Sequence, residues 1–287
     1  MFRSRFPRIP VQRLPLKRGL ANYGQAQRVP TLKHDFSKGV PGLLSPPAFD
    51  IAWTQYQTLM LEKLNQLLAG RLFLHRKDPK DILLKYARDP NYAPHFNHAS
   101  MAHNNHFFFD SLSPKAVPMP EKLKEELERC FSSIETFRQE LILTASAMFG
   151  PGFVWVVKDR MRDFRILNTY IAGSPYQGAH YRRQPVDMNT EDSSISEHIR
   201  RTQGSPVNSV GAHGPHSATR EEKLSPPGGT GVTPILCINM WEHVWLPDFG
   251  FFHNGNGKRS YAEEWWNHID WNVVSDRADI SKIKFQR

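Results

Sequence analysis

Two short clusters in this sequence carry the residue types that do chemistry. The first is Phe96-Asn97-His98-Ala99-Ser100-Met101-Ala102-His103-Asn104-Asn105-His106-Phe107-Phe108-Phe109. Three histidines within nine residues suit metal coordination, because neutral imidazole is the commonest transition-metal ligand. On a helix, His103 and His106 are three apart and share a face. Two ligands do not make a site, and a third would have to come from elsewhere. The alternative reading of His98, His103 and His106 is polar surface or interface. The second cluster is Asn239-Met240-Trp241-Glu242-His243, which follows an apolar run. A histidine beside a glutamate there suits a metal ligand, a general base or an ion pair in an interface. Cys130 and Cys237 are too few for a disulfide framework or a four-cysteine zinc site.

The elements that must hold these clusters are legible in the apolar spacing. Ser45-Pro46-Pro47 suits a helix start, with Ser45 as cap and the prolines in a first turn whose N–H groups lack partners anyway. Trp53, Tyr56, Met60, Leu64 and Leu67/Leu68 then recur at helical spacing up to Gly70. A second helix over about 96–112 carries the histidine cluster. A third opens at Pro120, and a break near Ser132-Ser133 separates it from a fourth that ends at Phe149-Gly150. Strands follow at Phe153–Val157, Phe164–Leu167 and Ile235–Ile238, the last delivering Asn239 to Glu242-His243. Tyr261 to Val274 reads as one late helix. Helices first, then a small meander with helices returning, is an α+β arrangement.

Charge and composition divide the 287 residues further. Lys and Arg number 37 against 28 Asp and Glu, a formal charge of +9. Eight of the basic residues fall in 1–34, ahead of the first acid, Asp35, so the rest holds 29 basic against 28 acidic groups. An Arg-rich opening without acids, spaced by apolar residues, has the composition of a mitochondrial transit peptide. Arg18-Gly19-Leu20-Ala21 resembles a processing site, which sets the leader at 1–20, with the basic composition running on to about 34. The alternative is a basic RNA-binding arm that stays attached. Residues 21–44 read as a linker, 45–115 as an N-terminal helical hairpin domain and 116–287 as a C-terminal α+β domain. Within the latter, 178–232 reads as a disordered insertion, since Gly, Pro and Ser fill 14 of the 30 positions in 203–232. No apolar run approaches the ~20 residues of a membrane-spanning helix, which excludes an integral membrane protein of that kind.

Several windows together resemble the iron/manganese superoxide dismutases. Phe96–Leu112 is similar, without a gap, to the helix carrying that family's second metal histidine. Phe149–Val157 is similar to its FGSGWAWLV strand entry, Asn239–His243 to its DVWEH signature, Tyr261–Trp271 to its terminal Y…FWN..NW helix, and Leu64–Leu67 to the end of its first hairpin helix. The resemblance covers roughly 43–177 and 233–287. It implies a helical hairpin followed by a three-stranded antiparallel sheet with surrounding helices. It also implies where a metal site would lie and that the site is degenerate. The family binds its metal with three histidines and an aspartate. The corresponding positions here are Ala52, Asn105, Asn239 and His243, of which only His243 retains a ligand. Tyr56 and Met60 stand at gateway positions and Ala172 at that of a glutamine which tunes metal-bound solvent. The resemblance therefore implies no catalytic residue, no metal and no cofactor.

Glu242 and His243 survive although the rest is lost. In the dismutase dimer this pair meets across the two-fold interface, so here it implies a retained subunit interface. A metal-free dismutase fold behind a mitochondrial leader resembles the dismutase-like proteins of fungal mitochondrial ribosomes. That resemblance implies a structural component of the small subunit. Its expected partners are other small-subunit proteins, a second dismutase-like chain as heterodimer (or a homodimer), and ribosomal RNA at the periphery. Arg277, Lys282, Lys284 and Arg287 are the candidate RNA contacts, with no acid after Asp279. The basic groups at Arg71/Arg76/Lys77/Lys80 and at Lys158/Arg160/Arg162/Arg165 are interleaved with aspartates and read as solvated surface. The alternatives are a mitochondrial metal-dependent dismutase-like enzyme and a metal-free partner of a true dismutase.

Overall fold

The computed structural model describes residues 26–87, 89–159, 162–176, 179 and 231–279. The expected leader at 1–20, nearly all of the 178–232 insertion, and Lys282, Lys284 and Arg287 lie outside the described residues. The first helix starts as its sequence dictates: the Ser45 hydroxyl accepts from the Ala48 N–H, and two prolines fill the first turn of α1 (Pro46–Phe49). It runs through a π-helical turn, Asp50–Gln55, directly into α2 (Tyr56–Leu67). Such turns inside α-helices are frequent at functional sites. After Gly70 come α3 (Leu72–His75) and α4 (Pro79–Tyr86), then the long α5 (Ala93–Asp110), which packs on α2 and α4. Leu64, Leu68, Ile82, Leu83 and Phe96 fill the core at this end of the hairpin.

The remaining helices frame a sheet. α6 (Glu121–Phe131) and α7 (Ile134–Ala147) are separated at Ser132, whose φ is +70°, and at Ser133, whose hydroxyl accepts from the Thr136 N–H. β1 (Gly152–Lys158) is the central strand, flanked on either side by antiparallel β2 (Phe164–Tyr170) and β3 (Thr233–Asn239). Trp155 sits opposite both Leu167 and Cys237, and its indole N–H donates to the Thr169 hydroxyl at 2.8 Å. Both faces of β1 are covered, which is why Phe153–Val157 reads as an unbroken apolar run rather than an alternating one. Then follow α8 (Glu242–Phe249), α9 (Gly257–Asn267) and α10 (Trp271–Ala278). The α+β order of hairpin, then three-stranded antiparallel sheet, matches the expectation. Among the described residues, no helix is long and apolar enough to cross a membrane.

Three expectations need correction. The late helix is two helices, because Asp270 turns its carboxylate back to accept from the Asn272 and Val273 N–H groups and so starts α10 afresh. Residues 26–44 are not a linker. Phe36, Val40, Leu43 and Leu44 are in the main core, Gln27 exchanges hydrogen bonds with Asn65, and Lys33 reaches Asp270 at 2.7 Å. The hairpin and the C-terminal region are also not separate packing units. Phe49, Ala52, Trp53 and Phe108 share one core with the sheet and α8–α10.

Candidate functional site

The positions singled out by the resemblance come from four elements. Ala52 lies in the π turn, Asn105 in the third quarter of α5, Asn239 at the last residue of β3 and His243 in the first turn of α8. Ala52, Asn105 and Asn239 are each fully buried, in the heart of the molecule. A chain of neutral amides joins them. The Asn239 side-chain NH2 donates to the Asn105 carbonyl oxygen at 3.2 Å. Asn105 in turn donates to the Ala52 main-chain carbonyl and to the Gln57 side-chain carbonyl, both at 3.1 Å. Gln57 donates onward to the Ala102 carbonyl at 2.9 Å, and the Asn239 oxygen accepts from the Trp241 N–H at 3.0 Å. The four bonds made by the Asn239, Asn105 and Gln57 side-chain NH2 groups are buried, so each removes the penalty of a buried orphan rather than merely adding an attraction.

His243 stands beside this chain without joining it. Its ring stacks on Tyr56 with centroids 4.2 Å apart and planes 23° apart. Its Nε2 is buried with no hydrogen-bond partner among the described residues. Burial pushes the imidazole down to about 4 and the Tyr56 phenol up to about 12, so both are neutral at pH 7. Glu242, next to it, makes no ion pair among the described residues. These residues do not fit a redox metal. They offer one imidazole, two amides already satisfied by each other, and no carboxylate to balance a trivalent charge. Among the described residues, no group of three or more His, Cys, Asp or Glu converges.

The histidines of α5 disperse. His98 Nδ1 bonds the Pro94 carbonyl at 2.8 Å, four residues back on its own helix. His103 Nε2 pairs with the Tyr176 hydroxyl at 2.7 Å, and burial together with Lys80, His106 and Arg277 pushes it down to about 3. The His106 ring lies 5.9 Å from that of Trp53. Three separate contacts account for three histidines. Arg277 requires a further correction as an RNA contact. Its guanidinium lies 3.7 Å over the Phe107 ring, pairs with Asp110 at 2.8 Å and donates to the Phe107 and Ile235 carbonyls. It is an internal clamp between α5, α10 and β3, not a free cation.

Gln57 was missed by the sequence reading, as was Asn104, which donates to the Gly173 carbonyl and accepts from the Ser174 hydroxyl. A signal existed for the first: Gln57 falls between Trp53 and Leu61 at four-residue spacing, on a buried stripe where a polar side chain demands a partner.

The description of the iron/manganese superoxide dismutase C-terminal domain matches residues 119–187 and 216–277, on either side of a gap within the insertion. With the hairpin and the sheet order, this match gives the chain an iron/manganese superoxide dismutase-like fold. Two relatives of Schizosaccharomyces pombe are small ribosomal subunit proteins. The one called mS43 is 29% identical over 250 residues, covering 84% of this chain and 81% of its own length. The one called mS42 is 24% identical over 213 residues, covering 72% and 76%. A superoxide dismutase [Fe] of Helicobacter pylori is 26% identical over 248 residues, covering 86% and 87%.

Proposed function

We propose that this chain is a non-catalytic structural component of the small subunit of the mitochondrial ribosome. It uses a degenerate dismutase fold as a contact module that supports mitochondrial translation. The observation that carries the reading is the amide chain Asn239–Asn105–Gln57. At the place where a dismutase would gather ligands, the interior is closed by neutral hydrogen bonds that hold elements together and leave nothing to cycle between oxidation states. The two small ribosomal subunit relatives give the same direction, and the acid-free basic opening supports a mitochondrial address.

The contact face is the start of α8. Glu242 makes no ion pair among the described residues and sits beside His243, and a second dismutase-like chain would pair with its carboxylate through a charge-assisted bond. A heterodimer with a dismutase-like ribosomal protein is the favoured assembly. The test is a density gradient of mitochondrial lysate, probed for the tagged chain, with metal analysis of the purified protein. Co-sedimentation with the small subunit, and translation lost on deletion, are expected. Absence from every ribosomal fraction, or iron or manganese near one per chain with dismutase activity, overturns the reading. Capture of an active dismutase in place of ribosomal proteins would assign the chain to regulation of that enzyme.

A further inference from the structure

Beyond residue 34 two stretches each carry a net +3: residues 71–92, and residues 280–287, which lie outside the described residues. Residues 71–92 carry six basic against three acidic side chains, a net of +3, whereas the whole chain after residue 34 is net +1. The rest of the body is therefore net negative. This segment forms the tip of the hairpin, where α3 and α4 cap the ends of α2 and α5.

The local geometry is that of an aromatic and cationic platform. The Arg71 guanidinium lies 4.7 Å from the Tyr92 ring and 6.0 Å from the Tyr86 ring, and donates to both hydroxyls, at 2.6 Å for Tyr86 and 3.2 Å for Tyr92. The two tyrosines stack on each other with centroids 4.6 Å apart. The two hydroxyls hold Arg71 in place, and it makes no ion pair with a carboxylate among the described residues. The assembly walls a depression of about 540 Å³, whose lining also holds Lys85 and Asp89. At the rim Phe73 is 72% exposed, and the Lys77 ammonium lies 5.3 Å from its ring. An open aromatic face next to cations with fixed positions matches a flat, anionic, aromatic ligand. Single-stranded nucleic acid is that ligand: its bases stack on side-chain rings while its phosphates track a basic groove. An acidic peptide would satisfy the cations and leave the Phe73 ring unused.

We propose that the surface formed by Arg71, Phe73, Lys77, Lys85 and the stacked tyrosines binds an unpaired RNA segment, with a base on Phe73 and phosphates on the three cations. This deepens the ribosomal reading, on which it rests, and sets an RNA-facing side at the hairpin tip.

The test uses the full chain and a fluorescent unstructured RNA 12-mer, read by anisotropy and by ultraviolet cross-linking. Cross-links are expected within 71–92. Phe73→Ala, which removes an exposed ring and so leaves the fold and melting temperature intact, should weaken binding about tenfold. Lys77→Gln with Lys85→Gln should reduce the slope of log affinity against log salt by about 1.4, the share of two phosphates on a single strand. Unchanged affinity in Phe73→Ala, with cross-links confined to residues 1–34, overturns the proposal. So does a glutamate-rich peptide that binds more tightly than the RNA and weakens in the same variant. A gradient separates the two readings. If the wild-type chain co-sediments with small subunits but its cross-links lie elsewhere, this proposal alone fails. If it never co-sediments, the ribosomal reading fails, while the oligonucleotide result still stands or falls by itself.

Discussion

Asn105→Ala is the sharpest perturbation of the amide chain. Asn105 sits at 0% exposure and makes three side-chain hydrogen bonds, donating to Ala52 and Gln57 and accepting from Asn239. Truncation orphans the Gln57 oxygen and one Asn239 N–H, each roughly 1–3 kcal/mol when buried without a partner. The vacated volume adds roughly 1 kcal/mol if it stays empty. The expected loss is about 4 kcal/mol, a large share of the roughly 5–15 kcal/mol that holds a typical protein folded. The assay is chemical denaturation of the purified chain, with Asn239→Ala and the double variant completing a cycle. The midpoint should fall sharply at unchanged slope. The cycle should show coupling of at least about 1 kcal/mol, because the double variant no longer strands one amide against a missing partner. A loss below about 1 kcal/mol, or strict additivity, would refute the idea that these amides brace the centre of the molecule.

Three further outcomes follow from the same structure. Asn239→Asp places a carboxylate 3.2 Å from the Asn105 oxygen in a fully buried position, so its folded pKa rises above the unfolded ~3.9. Its stability relative to wild type is then largest at about pH 4 and is lost as pH rises through the raised pKa, which parallel melts from pH 4 to 8 would show. In the wild-type chain, His243 and His103 are depressed to about 4 and about 3, so between pH 6.5 and 4 the unfolded state binds the extra protons. Stability should fall as pH drops across that window by roughly 1.4 kcal/mol per unit for each histidine, and His103→Gln and His243→Gln should each remove one share. Arg277→Gln removes a cation from the Phe107 face and strands Asp110, which should cost roughly 2–3 kcal/mol in denaturant while leaving the salt dependence of RNA binding unchanged.

Much of the fold was legible because its signals are local. The Ser45 cap with its prolines, the Ser132-Ser133 break and the unbroken Phe153–Val157 run each depend on a few neighbouring residues, and each lies where expected. The late helix failed for a reason of the same scale. Asp270 fits a helical pattern, but its carboxylate also pairs with Lys33, and that distant partner fixes it in the capping position. The segment 26–44 failed because its scattered apolar residues have no period; only the groove they fill makes them core.

At the site, the residue types were given by the chain alone: an alanine, two asparagines and one histidine at the places where a dismutase needs four ligands. The loss of coordinating power that the resemblance implies needs no coordinates to state. What fills the gap does. Gln57 and Asn105 are 48 residues apart, and Asn105 and Asn239 are 134 apart, so no periodicity could pair them. The same holds for Arg277, one of the four candidate RNA contacts, which α10 turns onto Phe107 and Asp110. Sequence by itself determined most of the element order and the charge balance, because these are properties of residues and near neighbours. Only the tertiary structure decided which buried polar groups satisfy one another and which cations stay open to solvent, because burial and hydrogen bonding are set by residues that meet across the fold.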